Sequence, residues 1–285
     1  MSLVVTGATG QLGRLVIASL LRTTPAADIV ALVRSRAKAA DLEALGVTLR
    51  EADYGRPETL AQAFRAGDKV LLISSSELGK RDAQHRAVIK AASAAGVAQV
   101  IYTSVLHADT SKLGLAADHR DTEAALAASG LSWVVLRNGW YTENYAASIP
   151  PALAHNAFIG GAGNGKISSA ARADYADAAA IVLTRDIPSG TIYELAGDEA
   201  YTLTEFAAAI EKAAGKPVPY VDMSEAEFKK ALEGAGLPEP VAALLSDSDA
   251  AAAKGALFDD SRTLSKLIGR PTTPYVDTVK AAVKA

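Results

Sequence analysis

The stretch Leu3-Val4-Val5-Thr6-Gly7-Ala8-Thr9-Gly10-Gln11-Leu12-Gly13 decides the fold of this 285-residue chain. A short apolar run, typical of a buried strand, leads into three glycines spaced three residues apart. In this pattern Gly7 permits a tight turn, Gly10 lets the backbone approach a pyrophosphate, and Gly13 lets the following helix pack on the strand. Because the glycines leave a strand and open a helix, the stretch predicts a dinucleotide-binding βαβ unit.

Apolar strands and amphipathic helices alternate through the first half of the chain. The predicted strands cover residues 3–5, 28–33, 47–50, 69–73, 100–103 and 133–136. The predicted helices cover residues 12–21, a segment that begins at Pro57, and residues 82–95 and 119–129. This alternation predicts an α/β fold, with a Rossmann-type doubly wound parallel sheet that binds ligands at the carboxyl ends of its strands.

The alternation loosens after residue 137. We therefore expect residues 1–137 to form the nucleotide-binding Rossmann domain, and residues 138–285 a smaller α+β C-terminal lobe on the substrate side, interleaved with returns to the main sheet. A helix over residues 175–183 and a strand over 192–195 are typical of such returns. Two capping boxes predict helix starts in the lobe, Thr202 with Glu205 and Ser224 with Glu227.

Composition excludes several classes of function. The net charge of -3 and the absence of polybasic blocks give no reason to expect nucleic acid as a partner. No cysteine is present, which excludes disulfides, thiolate catalysis and iron–sulfur ligation. No apolar run approaches the ~18 residues of a membrane span, and residues 1–3 lead into the first strand without a leader pattern. We expect a cytoplasmic monomer or homodimer without membrane insertion.

The end of the second strand selects the cofactor. An Asp or Glu there would bind the ribose 2′-hydroxyl of NAD, but the sequence has Arg34, which can pair with the 2′-phosphate of NADP. The alternative is that Arg34 stacks on adenine or faces solvent. Ser74, Ser75 and Ser76 follow the fourth strand and can donate to the pyrophosphate and ribose, or else they form a loop that caps the next helix. The predicted cofactor-binding residues are Gly7, Ala8, Thr9, Gly10, Gln11, Leu12, Arg34, Ser74, Ser75 and Ser76.

The glycine spacing resembles that of short-chain dehydrogenases, which usually carry a Tyr-x-x-x-Lys pair that protonates the carbonyl; this chain lacks that pair. None of the nine tyrosines is followed four residues later by lysine. Two possibilities remain open. The chain is a non-catalytic NADP-binding redox sensor or transcriptional regulator, or it delivers hydride to an acceptor that needs no strong general acid. A quinone is such an acceptor, because positioning of the nicotinamide against its ring supplies most of the catalysis.

The stretch after the sixth strand predicts the nicotinamide and substrate cleft, which comprises Asn138, Gly139, Trp140, Tyr141, Thr142 and Glu143. Asn138 can hydrogen-bond the nicotinamide carboxamide or a quinone oxygen, and Tyr141 is a candidate proton donor. These two are the predicted catalytic residues. Trp140 and Tyr141 can form an aromatic wall for a flat ring, or Trp140 is buried core between the domains.

As candidate metal ligands, neither the histidines nor the acidic residues predict a metal site. The histidines at 85, 107, 119 and 155 lack ligand spacing, so no metal is expected. Asp174 is predicted to cap the helix that follows it. The acidic residues at 247–249 and 259–260 are predicted to lie in loops and at helix starts.

Longer motifs resemble a known family. The matching stretches are Thr6–Gly13, Leu72–Glu77, Tyr102–Ser111, Leu136–Tyr145, Arg172–Ala176, Gly255–Ser261 and Gly269–Thr273. Together they resemble the NmrA-like atypical short-chain dehydrogenases, and within them the bacterial NAD(P)H:quinone oxidoreductases of type 2. The resemblance implies an enzyme that reduces a small-molecule quinone with NADPH. No second nucleotide fingerprint occurs, so no flavin is expected.

Overall fold

The computed structural model describes residues 1–77 and 79–284, and the chain divides into two compact units. The first unit comprises residues 1–105, 118–137 and 175–193, and the second comprises residues 106–117, 138–174 and 194–285. The second unit thus includes residues 106–117, which lie before the boundary predicted at residue 137. The two units contain similar numbers of residues.

Strands and helices alternate in the order that the sequence predicts. In the described residues the strands are β1 (Leu3–Val5), β2 (Ile29–Val33), β3 (Thr48–Glu51), β4 (Lys69–Leu72), β5 (Gln99–Val105), β6 (Trp133–Asn138), β7 (Phe158–Gly160), β8 (Thr191–Leu195) and β9 (Tyr220–Asp222). The helices are α1 (Gln11–Leu20), α2 (Ala40–Ala44), α3 (Pro57–Leu60), α4 (Arg81–Ala95), α5 (Ala116–Ala127), α6 (Thr142–Ala146), α7 (Ile149–His155), α8 (Arg172–Thr184), α9 (Leu203–Ala214), α10 (Glu225–Gly234), α11 (Glu239–Ala252), α12 (Thr263–Ile268) and α13 (Tyr275–Lys284).

A seven-stranded sheet of order β3-β2-β1-β4-β5-β6-β8 forms the centre of the first unit. The pairs β1–β2, β1–β4, β2–β3 and β4–β5 are all parallel. Every residue of β1, β2, β4 and β5 is buried, as expected for strands covered on both faces. The predicted doubly wound fold is confirmed. The strand order reverses between β1 and β4, and ligands bind at such a switch point.

The connection between β2 and β3 differs from expectation, because it contains a 3-10 turn over Arg36–Ala39 and the short helix α2, which the sequence analysis did not predict. Its apolar pattern is weak, since α2 buries Leu42 alone. Two turns of helix with a single buried anchor leave no periodicity to detect.

Both predicted capping boxes are present in the second unit. The Thr202 hydroxyl accepts a hydrogen bond from the backbone N–H of Glu205, and the Glu205 carboxylate accepts one from the N–H of Thr202. Ser224 and Glu227 repeat this arrangement at the start of α10. The second unit also contains a parallel pair formed by β7 and β9. None of the described helices is long and apolar enough to cross a membrane.

Asp174 and Asp249 have roles other than those predicted, and Asp247, which is also expected in a loop or at a helix start, lies within α11 as Asp249 does. Asp174 is not a cap: it lies inside α8, fully buried, and its carboxylate accepts hydrogen bonds from Thr273 and pairs with Arg270 at 2.7 Å. Asp249 is not in a loop or at a helix start, because it lies near the carboxyl end of α11 with 3% of its surface exposed. The carboxylates of Asp174 and Asp249 hold distant parts of the second unit together.

Gly13 allows α1 to pack directly on the turn after β1. A Cβ atom built on Gly13 would lie 2.4 Å from the carbonyl oxygen of Gly7 and 2.8 Å from the Cα of Ala8. Both atoms are backbone, so no side-chain rearrangement can relieve the overlap. The role predicted for Gly13 from the sequence is therefore confirmed.

We expect Gly13→Ala to lower the free energy of unfolding by about 1–3 kcal/mol, because the extra methyl group forces α1 away from the turn. Urea unfolding followed by circular dichroism measures this. Gly234→Ala is the matched control: a Cβ atom built on Gly234 would meet no atom of the described residues within 4 Å, and its backbone has an ordinary φ. Its effect should be neutral or stabilising by less than about 1 kcal/mol. Equal losses in the two variants would contradict the packing argument.

Candidate nucleotide-binding site

The turn after β1 presents the start of α1 to the carboxyl edge of the sheet. Gly7 adopts φ +58°, and its carbonyl accepts a hydrogen bond from the N–H of Gly10 at 2.9 Å. Gly10 precedes α1 without a side-chain cap, and the first turn carries no acidic residue. Backbone N–H groups and the positive end of the helix dipole are thus available to an anion, as a pyrophosphate requires.

The predicted cofactor residues of the first unit meet along one edge, because β2, β1 and β4 are neighbouring parallel strands. Two threonine side chains tie the segment after β4 to the turn after β1 and to β5. The hydroxyl of Thr6 accepts a hydrogen bond from Ile73 N–H at 3.0 Å, and that of Thr103 accepts one from Ser74 N–H at 2.9 Å. The structure thereby brings Gly7–Leu12, Arg34 and the three serines to the same edge.

The three serines after β4 are not equivalent. The Ser75 N–H donates to Nε2 of His85 at 2.9 Å, and its hydroxyl donates to Gln84 at 2.5 Å, so Ser75 is held by α4. Ser76 is exposed. Ser74 Oγ is buried and has no hydrogen-bond partner within residues 1–77 and 79–284. Tyr54 Oη is likewise buried without a hydrogen-bond partner among these residues. Unpaired buried hydroxyls fit a site completed by a polar ligand such as a dinucleotide.

Two buried histidines form hydrogen bonds near this loop, His85 with the loop itself and His119 with Tyr102 of β5. Because Nε2 of His85 accepts from Ser75, the proton must sit on Nδ1, which lies 2.9 Å from the hydroxyl of Thr122. Burial lowers the pKa of His85 to about 4 and that of His119 to about 3. The hydroxyl of Tyr102 lies 2.7 Å from Nδ1 of His119. Both rings are therefore neutral at pH 7 and serve as hydrogen-bond partners.

Arg34 lies at the carboxyl end of β2, as predicted. Its side chain is 72% exposed and pairs with Glu77 at 3.1 Å. The sequence analysis did not single out Glu77, since a carboxylate a few residues beyond β4 carries no recognisable motif. Among residues 1–77 and 79–284, no group of three or more His, Asp or Glu side chains is arranged to hold a metal ion.

The predicted cleft residues 138–143 belong to the second unit. Gly139 N–H donates to the carbonyl of Leu195 at 2.7 Å. The hydroxyls of Thr142 and Ser169 are hydrogen-bonded at 2.8 Å. The Glu143 carboxylate accepts from the N–H of Arg172 through both oxygens. Thr142 and Glu143 are thus engaged in holding the segment after β6, which carries Tyr141 and follows Asn138.

Asn138 retains a polar atom suited to a ligand, and Tyr141 is held beside Arg172. Oδ1 of Asn138 is buried without a hydrogen-bond partner among the described residues. The Arg172 guanidinium lies 4.7 Å from the centre of the Tyr141 ring, a cation–π contact. Burial raises the pKa of Tyr141, a rise only partly offset by a hydrogen bond with Asn138 and by the charge of Arg172. Tyr141 is therefore protonated at neutral pH.

Trp140 is 8% exposed and packs on Tyr145 in the second unit, with ring centres 6.2 Å apart. Both rings line a small cavity that Asp249 also borders. Asp249 accepts hydrogen bonds from the Tyr145 hydroxyl at 2.9 Å and from Gly161 N–H at 2.8 Å, while burial raises its pKa to about 6. The sequence analysis missed this cluster, because Tyr145 and Asp249 lie 104 residues apart.

Comparison with known proteins identifies the family of this fold and nucleotide site. Residues 7–186 match the family described as NAD(P)H-binding. The chain belongs to this family. It is 58% identical over 275 residues to Quinone oxidoreductase 2 of Escherichia coli K12, covering 96% of both chains. It is 30% identical over 285 residues to the NAD(P)H azoreductase of Xenophilus azovorans, covering 99% of this chain and 98% of that one.

A solved structure agrees with these relatives. The NADPH-dependent quinone oxidoreductase QOR2 of Escherichia coli, complexed with NADPH, superimposes with a TM-score of 0.96 at 57% identity, over 98% of this chain and 99% of that one. The predicted resemblance and the assignment as an oxidoreductase are confirmed.

The buried histidines predict acid sensitivity of the first unit. Their folded pKa values lie below the unfolded value of 6.5, so their stabilising contribution is complete above pH 6.5 and is lost as the pH falls towards 4. Between pH 6.5 and 4.5 we expect a loss of about 2 kcal/mol per ring. Urea unfolding of wild type and of the His85→Gln/His119→Asn double variant, which keeps hydrogen-bond acceptors, measures the difference in slope.

An independent measurement needs no substitution. In NMR titrations of the wild type, neither buried ring should change protonation between pH 5 and 8. Two results together would contradict the neutral state of the rings: the free energy of unfolding has the same pH dependence in the wild type and the double variant, and either ring titrates between pH 5 and 8.

Proposed function

We propose that this chain is an NADPH-dependent quinone oxidoreductase that transfers hydride directly to a small-molecule quinone, without flavin and without a Tyr-Lys acid pair. Its near full-length likeness to Quinone oxidoreductase 2 carries the proposal. The uncapped start of α1, Arg34 and the unpaired Ser74 hydroxyl support the cofactor half. A cytoplasmic location, in a monomer or homodimer, stays a prediction.

In the first unit, the proposed role of the chain is to bind and orient the cofactor. The N–H groups at the start of α1 would hold the pyrophosphate, and Arg34 would pair with the 2′-phosphate. Ser74 Oγ would donate to the ribose or phosphate. When bound, NADPH would supply the hydride, which carries two electrons and one proton to the quinone.

In the second unit, Asn138 and Tyr141 are the proposed catalytic residues. The unpartnered Asn138 Oδ1 is an acceptor, so it suits the carboxamide N–H of the nicotinamide better than a quinone oxygen. The Tyr141 O–H, kept protonated by its raised pKa, would donate a hydrogen bond to the quinone oxygen that gains negative charge. Water would supply the second proton, since the hydroquinone anion is delocalised.

The direct test is NADPH oxidation by the purified full chain with benzoquinone and menadione as acceptors. We expect loss of NADPH absorbance that depends on the quinone, slower turnover with NADH, and a colourless enzyme without flavin absorbance. If the chain binds NADPH but reduces none of several quinones, the redox-sensor alternative is favoured instead. A yellow protein with flavin absorbance would overturn direct transfer.

We expect Tyr141→Phe to lower kcat for menadione by about tenfold, because the quinone oxygen loses one donor while water still supplies protons. The Kd for NADPH, measured by fluorescence, should stay within about twofold if Tyr141 contacts only the quinone. Tyr193→Phe, on β8 in the first unit, is the matched control and should keep full activity. Full activity of Tyr141→Phe would remove Tyr141 from the mechanism.

A further inference from the structure

Arg34, the residue predicted to select NADPH, already pairs with the carboxylate of Glu77. Arg34 contributes one guanidinium nitrogen to a 3.1 Å contact with the Glu77 carboxylate. The Arg34 side chain is 72% exposed and that of Glu77 is 38% exposed, so water and an incoming anion can both reach the pair. A 2′-phosphate that pairs with Arg34 must therefore either displace this carboxylate or share the arginine with it.

The position of Glu77 beside Arg34 is supported by α4 and by the loop after β4. Its second carboxylate oxygen accepts a hydrogen bond from Gln84 at 3.1 Å and lies 3.5 Å from Nζ of Lys80. Its backbone N–H donates to the Ser75 hydroxyl at 3.2 Å. These contacts hold the carboxylate in place. The Glu77 side chain therefore does not simply rotate away from a phosphate that binds Arg34.

The two neighbouring arginines also pair with carboxylates. Arg36 pairs with Glu43 at 2.8 Å, and Arg14 pairs with Asp41. In the described part of the chain, each arginine close to the start of α1 and the end of β2 thus has its own carboxylate. Glu77 differs from the other two acidic residues because it comes from the loop after β4, beside the predicted serines.

We propose that Glu77 is a specificity-determining residue that competes with the 2′-phosphate of NADPH for Arg34. The inference rests on the proposed NADPH-dependent function. The 2′-phosphate meets repulsion from Glu77 and must disrupt its contact with Arg34, whereas NADH carries a 2′-hydroxyl and meets neither obstacle. Glu77 therefore narrows the difference in affinity between the two cofactors and leaves the chain less selective than Arg34 alone would make it.

Glu77→Gln tests this with little change in shape, since the amide keeps an acceptor for Gln84 and loses the negative charge. We expect the Kd for NADPH to fall about 3- to 10-fold, the scale of an exposed ion pair plus like-charge repulsion, and the Kd for NADH to change less than about 2-fold. The fragments 2′,5′-ADP and 5′-AMP should show the same contrast. Fluorescence titration and calorimetry at low salt measure these constants.

Two controls separate competition at Arg34 from a general effect of surface charge. In an Arg34→Gln background, adding Glu77→Gln should lower the Kd for NADPH less than it does in the wild type, because the contested cation is absent and only the like-charge repulsion remains. Glu43→Gln removes an equal charge that pairs with Arg36 instead. It should change the Kd less than about 2-fold.

Several results would overturn the inference. Weaker NADH binding by Glu77→Gln would show that the carboxylate recognises the ribose hydroxyls, and an equal gain from Glu43→Gln would show a general charge effect. Unchanged NADPH binding by a Glu77→Gln protein with wild-type melting temperature would refute competition and leave the proposed function intact. Failure of the wild type to bind NADPH would refute both.

Discussion

The direct contact between α1 and the turn after β1 is the constraint on which the nucleotide site depends. Gly13 lies so close to the carbonyl of Gly7 that no side chain fits between helix and turn. This contact aims the first turn of α1 along the carboxyl edge of the sheet, and the left-handed Gly7 provides the bend. Free N–H groups and a helix dipole at a switch point between strands are sufficient to attract a pyrophosphate, whatever chemistry the rest of the chain performs.

Near that edge of the sheet, two neighbouring serines of the first unit have different roles. Ser75 uses its N–H and its hydroxyl to fasten the loop to α4, whereas Ser74 keeps a buried hydroxyl without a partner among the described residues. The His85 ring is neutral because burial disfavours its charged form, and only a neutral ring can accept from Ser75. These contacts hold Ser75 against α4, which reduces the entropy that a cofactor must overcome on binding at this position.

The second unit relies on buried carboxylates to connect segments that are distant in sequence. Asp174 holds the chain at Thr273, 99 residues away, and Asp249 holds Tyr145 and Gly161. Such anchors order the elements that carry residues 138–143 without taking part in the proposed chemistry. They also explain why Asp174 is not the helix cap that the sequence predicts, because its carboxylate is bound to Thr273 instead.

The sequence by itself determined the order of strands and helices in the first half of the chain, the three-glycine turn, the position of Arg34 and both capping boxes. These features are local, because strand and helix periodicity, turn conformation and caps depend on residues within a few positions of one another. Only the tertiary structure decided that Arg34 faces Glu77, that His85 holds Ser75, and that Asp249 meets Tyr145. Partners of this kind are selected by packing between elements, so no spacing along the chain encodes them.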